Sequence, residues 1–316
     1  MKTATLRRLA LILAAVAVVL GAASGLLLGH RLSQPAQTSG TSEDAQESAA
    51  PRKTPAPEAS PAPSEAPEPD AAPAVDADVQ KVFDDFIAAQ GGTWDLYYES
   101  LATGAYAEAQ SGHGADARSI SASLIKLYVM GAVYDAVAQG RLSHDAVYGD
   151  LYSMITVSDN DACNRLVRQL GGGDAAAGMT AVNAFAQSLG CADTQMNRLM
   201  LQDNGTENYV SARDCAAILR LICNGACVSE TASSEMLDLL RAQTVNDRLP
   251  ANLPQGVTVA HKTGNLTNRS CGDVGLIFTP GGDYILCVIS NHAQNDAQAT
   301  AAIAALSRTV YDIVNQ

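Results

Sequence analysis

Polar and apolar positions change period several times along this chain. Over residues 79–89 the apolar side chains Val79, Val82, Phe83, Phe86 and Ile87 recur at helical spacing, and Gly91-Gly92 ends the pattern. Residues 93–101, with Trp94, Leu96, Tyr97 and Tyr98, then read as a strand. Thr103-Gly104 turns the chain into a weaker strand over 105–109, so the pair predicts an antiparallel hairpin. The middle is helical. Residues 123–139 carry broad apolar faces and stop at Gly140; 150–157 make a shorter helical segment; 162–170 form a helix that Gly171 to Gly173 end. Residues 179–189, 211–222 and 231–242 are further helices, the second capped by Ser211 with Asp214 three positions on. Strands return at 257–261, 274–278 and 284–290, the last two joined by a turn at Pro280-Gly281-Gly282, and a final helix covers 293–314. Strands at both chain ends around a helical middle predict an α+β fold in which distant segments build one sheet with helices packed on it.

The first 78 residues do not share this patterning. Lys2, Arg7 and Arg8 precede an uncharged apolar run over residues 9–29, long enough to span a bilayer as a helix with the amino terminus inside. A cleaved signal peptide ending near Gly21 to Gly25 is the alternative, and either places the rest of the chain outside the cytoplasm. Residues 30–78 repeat Pro-Ala and Pro-Glu pairs and contain no aromatic residue. Such a segment cannot bury enough apolar surface to offset its ordering, so it reads as an acidic stalk. The expected organisation is therefore 1–29 anchor or signal, 30–78 stalk, and 79–316 one folded domain, expected to be monomeric.

Charge and cysteine content narrow the function classes. The chain carries a formal net charge of −13 and shows no basic run interleaved with aromatics, which argues against a nucleic-acid partner. Its seven cysteines are an odd number for an extracytoplasmic protein, and Cys223 and Cys227 lack a nearby His or second cysteine pair, so no metal site and no cofactor are expected. Several of the seven fit as small buried hydrophobes.

Three short motifs carry the candidate chemistry. In Ser123-Leu124-Ile125-Lys126, residues three apart on a helix share a face, so the lysine amine can lie against the serine hydroxyl while the first-turn N–H of the serine stays free. An exposed helix surface would explain the same spacing. However, Lys126 stands between Ile125 and Leu127 at the head of an apolar helix, where an uncompensated ammonium is costly. Ser158-Asp159-Asn160 can offer a hydroxyl and an amide to one cleft, or simply cap the next helix. Lys262-Thr263-Gly264 follows the strand at 257–261 and pairs a cation and a hydroxyl with a glycine that permits close backbone approach.

Taken together and in this order, the motifs resemble those of the penicillin-recognising serine enzymes, and more narrowly the class A serine β-lactamases. The resemblance runs from about Asp95 to the carboxyl terminus. It implies a three-layer α/β/α-like fold, with an antiparallel sheet built from both chain ends, helices on both faces and an inserted helical subdomain. It also implies a serine hydrolase acting on β-lactam amide bonds, as in antibiotic resistance, or on D-alanyl-D-alanine-type stem peptides of the cell wall as a D,D-peptidase or transpeptidase; a non-catalytic wall-binding module is the remaining alternative. By resemblance Ser123 is the nucleophile, Lys126 the base and Ser158 the proton relay, with Lys262 beside it. Asn160, Thr263, Gly264 and Arg269 would hold substrate, Thr263 and Arg269 through its carboxylate, and the N–H groups of Ser123 and Asn265 would form the oxyanion hole.

Two departures stand out. Ser123 and Ser158 are closer in sequence than in class A enzymes, which predicts a reduced cleft wall. The loop between Cys191 and Ser211 lacks the class A pattern of a deacylating glutamate followed by Leu-Asn. Counting from one end of the loop offers Asp203 as the water-activating group, and counting from the other offers Glu207.

Overall fold

The computed structural model describes residues 74–113, 118–203, 205–291 and 295–316. The expected membrane segment at 9–29 and the stalk up to residue 73 lie outside these. Among the described residues no helix is long and apolar enough to cross a membrane.

The expected domain boundary at residue 79 falls a little late. Helix α1 (Ala77–Gln90) is capped by the Asp76 carboxylate, which accepts from Val79 N–H at 3.1 Å. Ahead of it, Asp76 N–H donates to Tyr106 O and Tyr106 N–H to Ala74 O, so the chain is already paired with the sheet from Ala74.

Five antiparallel strands form that sheet: β1 (Thr93–Ser100), β2 (Tyr106–Ser111), β5 (Thr258–Leu266), β6 (Ser270–Phe278) and β7 (Tyr284–Asn291), in the order β2-β1-β7-β6-β5. Chain-end strands β1 and β7 pair along their whole length, Thr93 opposite Asn291 and Ser100 opposite Tyr284. Alternation along each strand splits the core in two. Leu96, Tyr98, Leu286 and Val288 face α1 and α8 (Asp296–Val314) together with Phe83, Ile303 and Leu306. Tyr97, Ile285, Cys287, Ile289, Val274 and Leu276 face the other way, into the larger core.

That larger core holds the helical part. A short bridge of β3 (Ser119–Ile120) with β4 (Tyr209–Val210) brackets α2 (Lys126–Ala138), α3 (His144–Thr156), α4 (Asn160–Leu170) and α5 (Ala175–Ser188). Helices α6 (Ala212–Cys223) and α7 (Glu230–Arg241) return the chain to the sheet. The Ser211 cap on α6 is as expected, its side chain accepting from Asp214 N–H at 3.2 Å. All seven cysteines are free thiols, six of them buried.

Two elements differ from the sequence pattern in ways that matter for the site. The single helix expected over 123–139 is a 3₁₀ turn, Ala122–Ile125, followed by α2 beginning at Lys126. The strand expected at 257–261 continues to Leu266, so Lys262-Thr263-Gly264 lies inside β5 and not after it. Register pairing with β6, from Thr258 opposite Phe278 to Leu266 opposite Ser270, overrides the weak strand preference of Lys, Gly and Asn.

Candidate active site

The 3₁₀ turn, the start of α4 and edge strand β5 converge on two buried lysines. Ser123 lies in the 3₁₀ turn and Lys126 follows three positions on, at the head of α2, so the two leave the turn on the same side. Leu124 N–H closes the first turn onto Ser121 O at 2.9 Å. The N–H of Ser123 precedes that bond and belongs to the donors without an intrahelical acceptor. Ser123 itself is half-buried.

Lys126 is fully buried and its ammonium is fully bonded. Nζ donates to Ser158 O at 2.6 Å, to Asn160 Oδ1 at 2.8 Å and to Ser158 Oγ at 3.2 Å. Burial lowers its pKa to about 8, against smaller upward pulls from Cys163 and Asp159. Lys262, also fully buried, donates to Ser158 Oγ at 3.0 Å and to Thr263 O at 2.8 Å. Burial and then the neighbouring Lys126 hold it well below the usual lysine range. Ser158 Oγ thus accepts from both ammonium groups. A hydroxyl has two lone pairs and one proton, so its O–H is left to donate in a third direction.

Local backbone chemistry explains how Ser158 and Asn160 reach these amines. Asp159 caps α4, accepting from Ala162 N–H at 2.8 Å, and so fills the capping role the sequence allowed to either Ser158 or Asp159. Ser158 has φ of 59°, and Ala122, next to Ser123, has φ of 44°. A non-glycine residue in this region costs about 1–3 kcal/mol, and such strain collects at functional sites. On β5, a Cβ at Gly264 would lie 2.9 Å from Leu124 Cγ and 3.0 Å from Ser121 O. The glycine is what lets the strand close on the turn that carries Ser123.

The remaining expected residues are distributed differently. Thr263 is buried on β5 beside Lys262; Asn265 is exposed two residues on. Arg269 Nη1 donates to Glu207 Oε1 at 2.5 Å. Glu207 Oε2 is held in turn by Arg198 Nη2 at 2.5 Å and Arg198 Nε at 3.2 Å, so both carboxylate oxygens are occupied. Asp203 is exposed and bonds Gly205 N–H of its own loop at 3.2 Å. The partners the structure shows for Asp203 and Glu207 lie within the loop and its frame.

Sequence reasoning missed two features. Three asparagine side chains clamp alternate residues of the loop, each by both its N–H and its C=O: Asn183 on Met196, Asn208 on Arg198 and Asn164 on Met200. Asn164 lies one helical turn beyond Asn160 on α4 and therefore on the same face. The loop residue fixed against that face is the buried, apolar Met200, followed by Leu201 at φ 62°. Contacts between residues 36 apart leave no periodic signal. The second feature is Arg248, 5% exposed, whose Nη2 donates to Asn265 Oδ1 at 3.2 Å and whose Nε donates to Cys271 Sγ at 3.4 Å. Its loop is pinned by buried Asp273, which accepts from Leu249 N–H and bonds His261 Nδ1, while His261 Nε2 meets Asn246 Oδ1.

A serine three positions ahead of a buried lysine, and a hydroxyl that accepts from two lysine amines, can together carry out acyl transfer. The model of the family described as "Beta-lactamase enzyme family" matches residues 75–149 and 150–314. The chain belongs to that family. Among its relatives, Beta-lactamase FAR-1 of Nocardia farcinica is 31% identical over 188 residues, 57% of this chain and 58% of that protein. The extended-spectrum beta-lactamase PER-1 of Pseudomonas aeruginosa is 27% identical over 170 residues, covering 50% and 53%. The matched part thus spans little more than half the length of these curated relatives. Solved structures align more completely. PBP-A superposes with a TM-score of 0.68 at 27% identity, covering 77% of this chain and 98% of that one. The beta-lactamase from Sphaerobacter thermophilus gives 0.64 at 25%, covering 74% and 97%. Another match, with a TM-score of 0.68 at 27% identity, covering 78% and 99%, is a point mutant of PBP-A as an acyl-enzyme complex with penicillin G.

Proposed function

We propose that this domain is a serine hydrolase acting on β-lactam-type amide bonds through an acyl-enzyme on Ser123, and that it works outside the cytoplasm, held to the membrane through residues 9–29. The observation that carries the reading is the sharing of Ser158 Oγ by Lys126 and Lys262.

Acylation follows from that geometry. Ser123 Oγ attacks the carbonyl carbon as its proton passes to the neutral amine of Lys126, whose lowered pKa makes the neutral form accessible near pH 8. The N–H groups of Ser123 and Asn265 meet the oxygen that gains charge. As the C–N bond breaks, Ser158 gives its free proton to the departing nitrogen and is reprotonated from Lys126. Asn160 serves the acyl side chain. Thr263 and Asn265 are two apart on β5 and share a face. Arg248, bonded to Asn265 Oδ1, is a second candidate beside Arg269 for the carboxylate contact.

Hydrolysis of the ester is the weaker half, and this favours a second reading for the natural substrate. The loop residue clamped beside Asn160 is Met200, which cannot activate water, and Glu207 is neutralised by two arginines. An ester that persists suits a D,D-peptidase or transpeptidase taking D-alanyl-D-alanine-type stem peptides, for which penicillin is a slow inhibitor. A fluorescent penicillin should label the full chain at Ser123, and Ser123→Ala should remove the label. Label mapped to any other residue would end both readings. Release of terminal D-alanine from a stem-peptide mimic, beside a penicillin adduct lasting minutes, would select the peptidase.

A further inference from the structure

His261, Asp273 and Asn246 form a polar chain that the acylation steps do not use. His261 is 1% exposed and Asp273 fully buried, on neighbouring strands β5 and β6. Alternation puts His261, Thr263 and Asn265 on one face of β5, and Asp273, opposite Thr263 in the register, shares that face. Gly275 stands opposite His261, where a Cβ would lie 2.6 Å from His261 Cβ, so the glycine gives the imidazole its room. Burying an imidazole and a carboxylate is costlier than burying two apolar side chains, so the pair calls for a use.

What the pair holds is the loop that carries Arg248. Asp273 Oδ1 accepts from His261 Nδ1 at 2.9 Å, and Oδ2 accepts from Leu249 N–H at 3.1 Å. Nε2, on the far side of the ring, meets the Asn246 side chain at 3.0 Å. An ionised carboxylate only accepts, so Nδ1 carries a proton, while an amide can turn either end to Nε2. Arg248 is thus flanked by two anchors, Asn246 two residues before it and Leu249 one after. Leu249 is locked further, its carbonyl accepting from Ser307 Oγ at 2.8 Å and its side chain buried in the core under α8. Asn246 is exposed and has the imidazole as its anchor. From His261 to Asn265 the strand covers about 13 Å. The loop is tied to the first of these residues through Asn246 and to the last through Arg248 Nη2 at 3.2 Å, with Thr263 between the two ties.

We infer that His261 is a positioning residue for the substrate carboxylate: through Asn246 it fixes the course of the loop beside β5, and so the aim of the Arg248 guanidinium on the Thr263 face of that strand. This rests on the reading above in which Thr263 and an arginine hold that carboxylate. Arg248 Nε is taken by Cys271 Sγ and Nη2 by Asn265 Oδ1, so the planar guanidinium has little freedom to swing, and the path of its own loop decides where the remaining N–H groups point. Histidine suits the place because a rigid ring with nitrogens on opposite edges spans from a carboxylate on the sheet to an amide on the loop, whereas a short amide or hydroxyl at position 261 reaches one of the two.

A penicillin and its methyl ester separate the carboxylate charge from the reacting ring. Each is incubated with the full chain in mild detergent, and the rate of acylation is read from the loss of later fluorescent-penicillin labelling at Ser123. Wild type should react faster with the acid. Asn246→Ala should lower the acid-to-ester rate ratio at least about fivefold, and so should His261→Asn, which keeps a donor toward Asp273 and loses the Nε2 side; a 1 Å misplacement can cost about 10²-fold. Arg248→Ala should lower the ratio at least as far. Because Asn246 is exposed, its variant keeps the test decisive should His261→Asn fail to fold. A fall in both rates at an unchanged ratio would overturn the inference and leave His261 a structural role. A ratio lost in Arg269→Ala and kept in Arg248→Ala would overturn it too, with the catalytic reading intact. No labelling of Ser123 in wild type would reject the catalytic reading and the inference with it.

Discussion

The cluster around Ser158 and the loop over residues 196–208 are built in opposite ways. In the cluster, the polar groups bond to one another: two lysine amines converge on one hydroxyl, and Asn160 and the Ser158 carbonyl complete the shell of Lys126. In the loop, the polar groups are spent on the loop itself or its frame. Asn164, Asn183 and Asn208 hold main chain, Arg198 and Arg269 hold Glu207, and Asp203 bonds its own turn. The cluster is arranged to move a proton, and the loop is arranged to stay put. Rigidity at the loop would help a deacylating enzyme only if an acid stood at the clamped position, and there the residue is Met200.

Substitutions that break this contrast should have graded effects. Largest is loss of the cluster itself: Ser123→Ala should abolish the covalent penicillin adduct, and Lys126→Ala should slow acylation at least about 10²-fold, the range for a lost general base. Stopped-flow labelling reads both, and a loss below threefold for the lysine variant would mean another group takes the proton. Next comes an attempt to make the loop resemble the cluster. Met200→Glu, which places a carboxylate at the position Asn164 fixes one turn from Asn160, should hasten adduct decay by about 10²-fold or more; an unchanged decay would show that the clamp does not aim this residue at the ester.

A pH profile gives a smaller but sharper test. Burial lowers the Lys126 pKa to about 8, and only its neutral form can accept the serine proton. Below that value the neutral fraction grows about tenfold per pH unit, so the acylation rate should climb from pH 6 to 8 and level off above about pH 9. A rate flat from pH 6 upward would remove Lys126 as the base. Smallest of all should be the two carboxylates that counting across the loop suggested. Asp203→Asn and Glu207→Gln should each change adduct decay less than about threefold, since one is solvated and the other already carries two arginines.

The same contrast explains what was legible in the sequence. Lys126 could be singled out because a lysine in the apolar surroundings of Ile125, Leu127 and Tyr128 needs partners, and Ser211 with Asp214 is a local cap that spacing reveals. Strand pairing from both chain ends follows from period-two runs. By contrast, β5 extends through Lys262-Thr263-Gly264 only because β6 pairs with it, and propensity alone ends the strand at His261. Arg269 pairs with Glu207, 62 residues away, and nothing adjacent to it in sequence signals that partner. Met200 had no signal, because its position is set by an asparagine on another element and not by anything adjacent to it.

On the proposed reading, this site forms an ester readily and lacks a group to cleave it. Intact-mass measurement of the wild-type penicillin adduct after excess drug is removed tests it most directly. Persistence of the acyl mass for minutes is the expected result. Return to the unmodified mass faster than about 1 s⁻¹, within the ordinary range of enzymatic turnover, would contradict it.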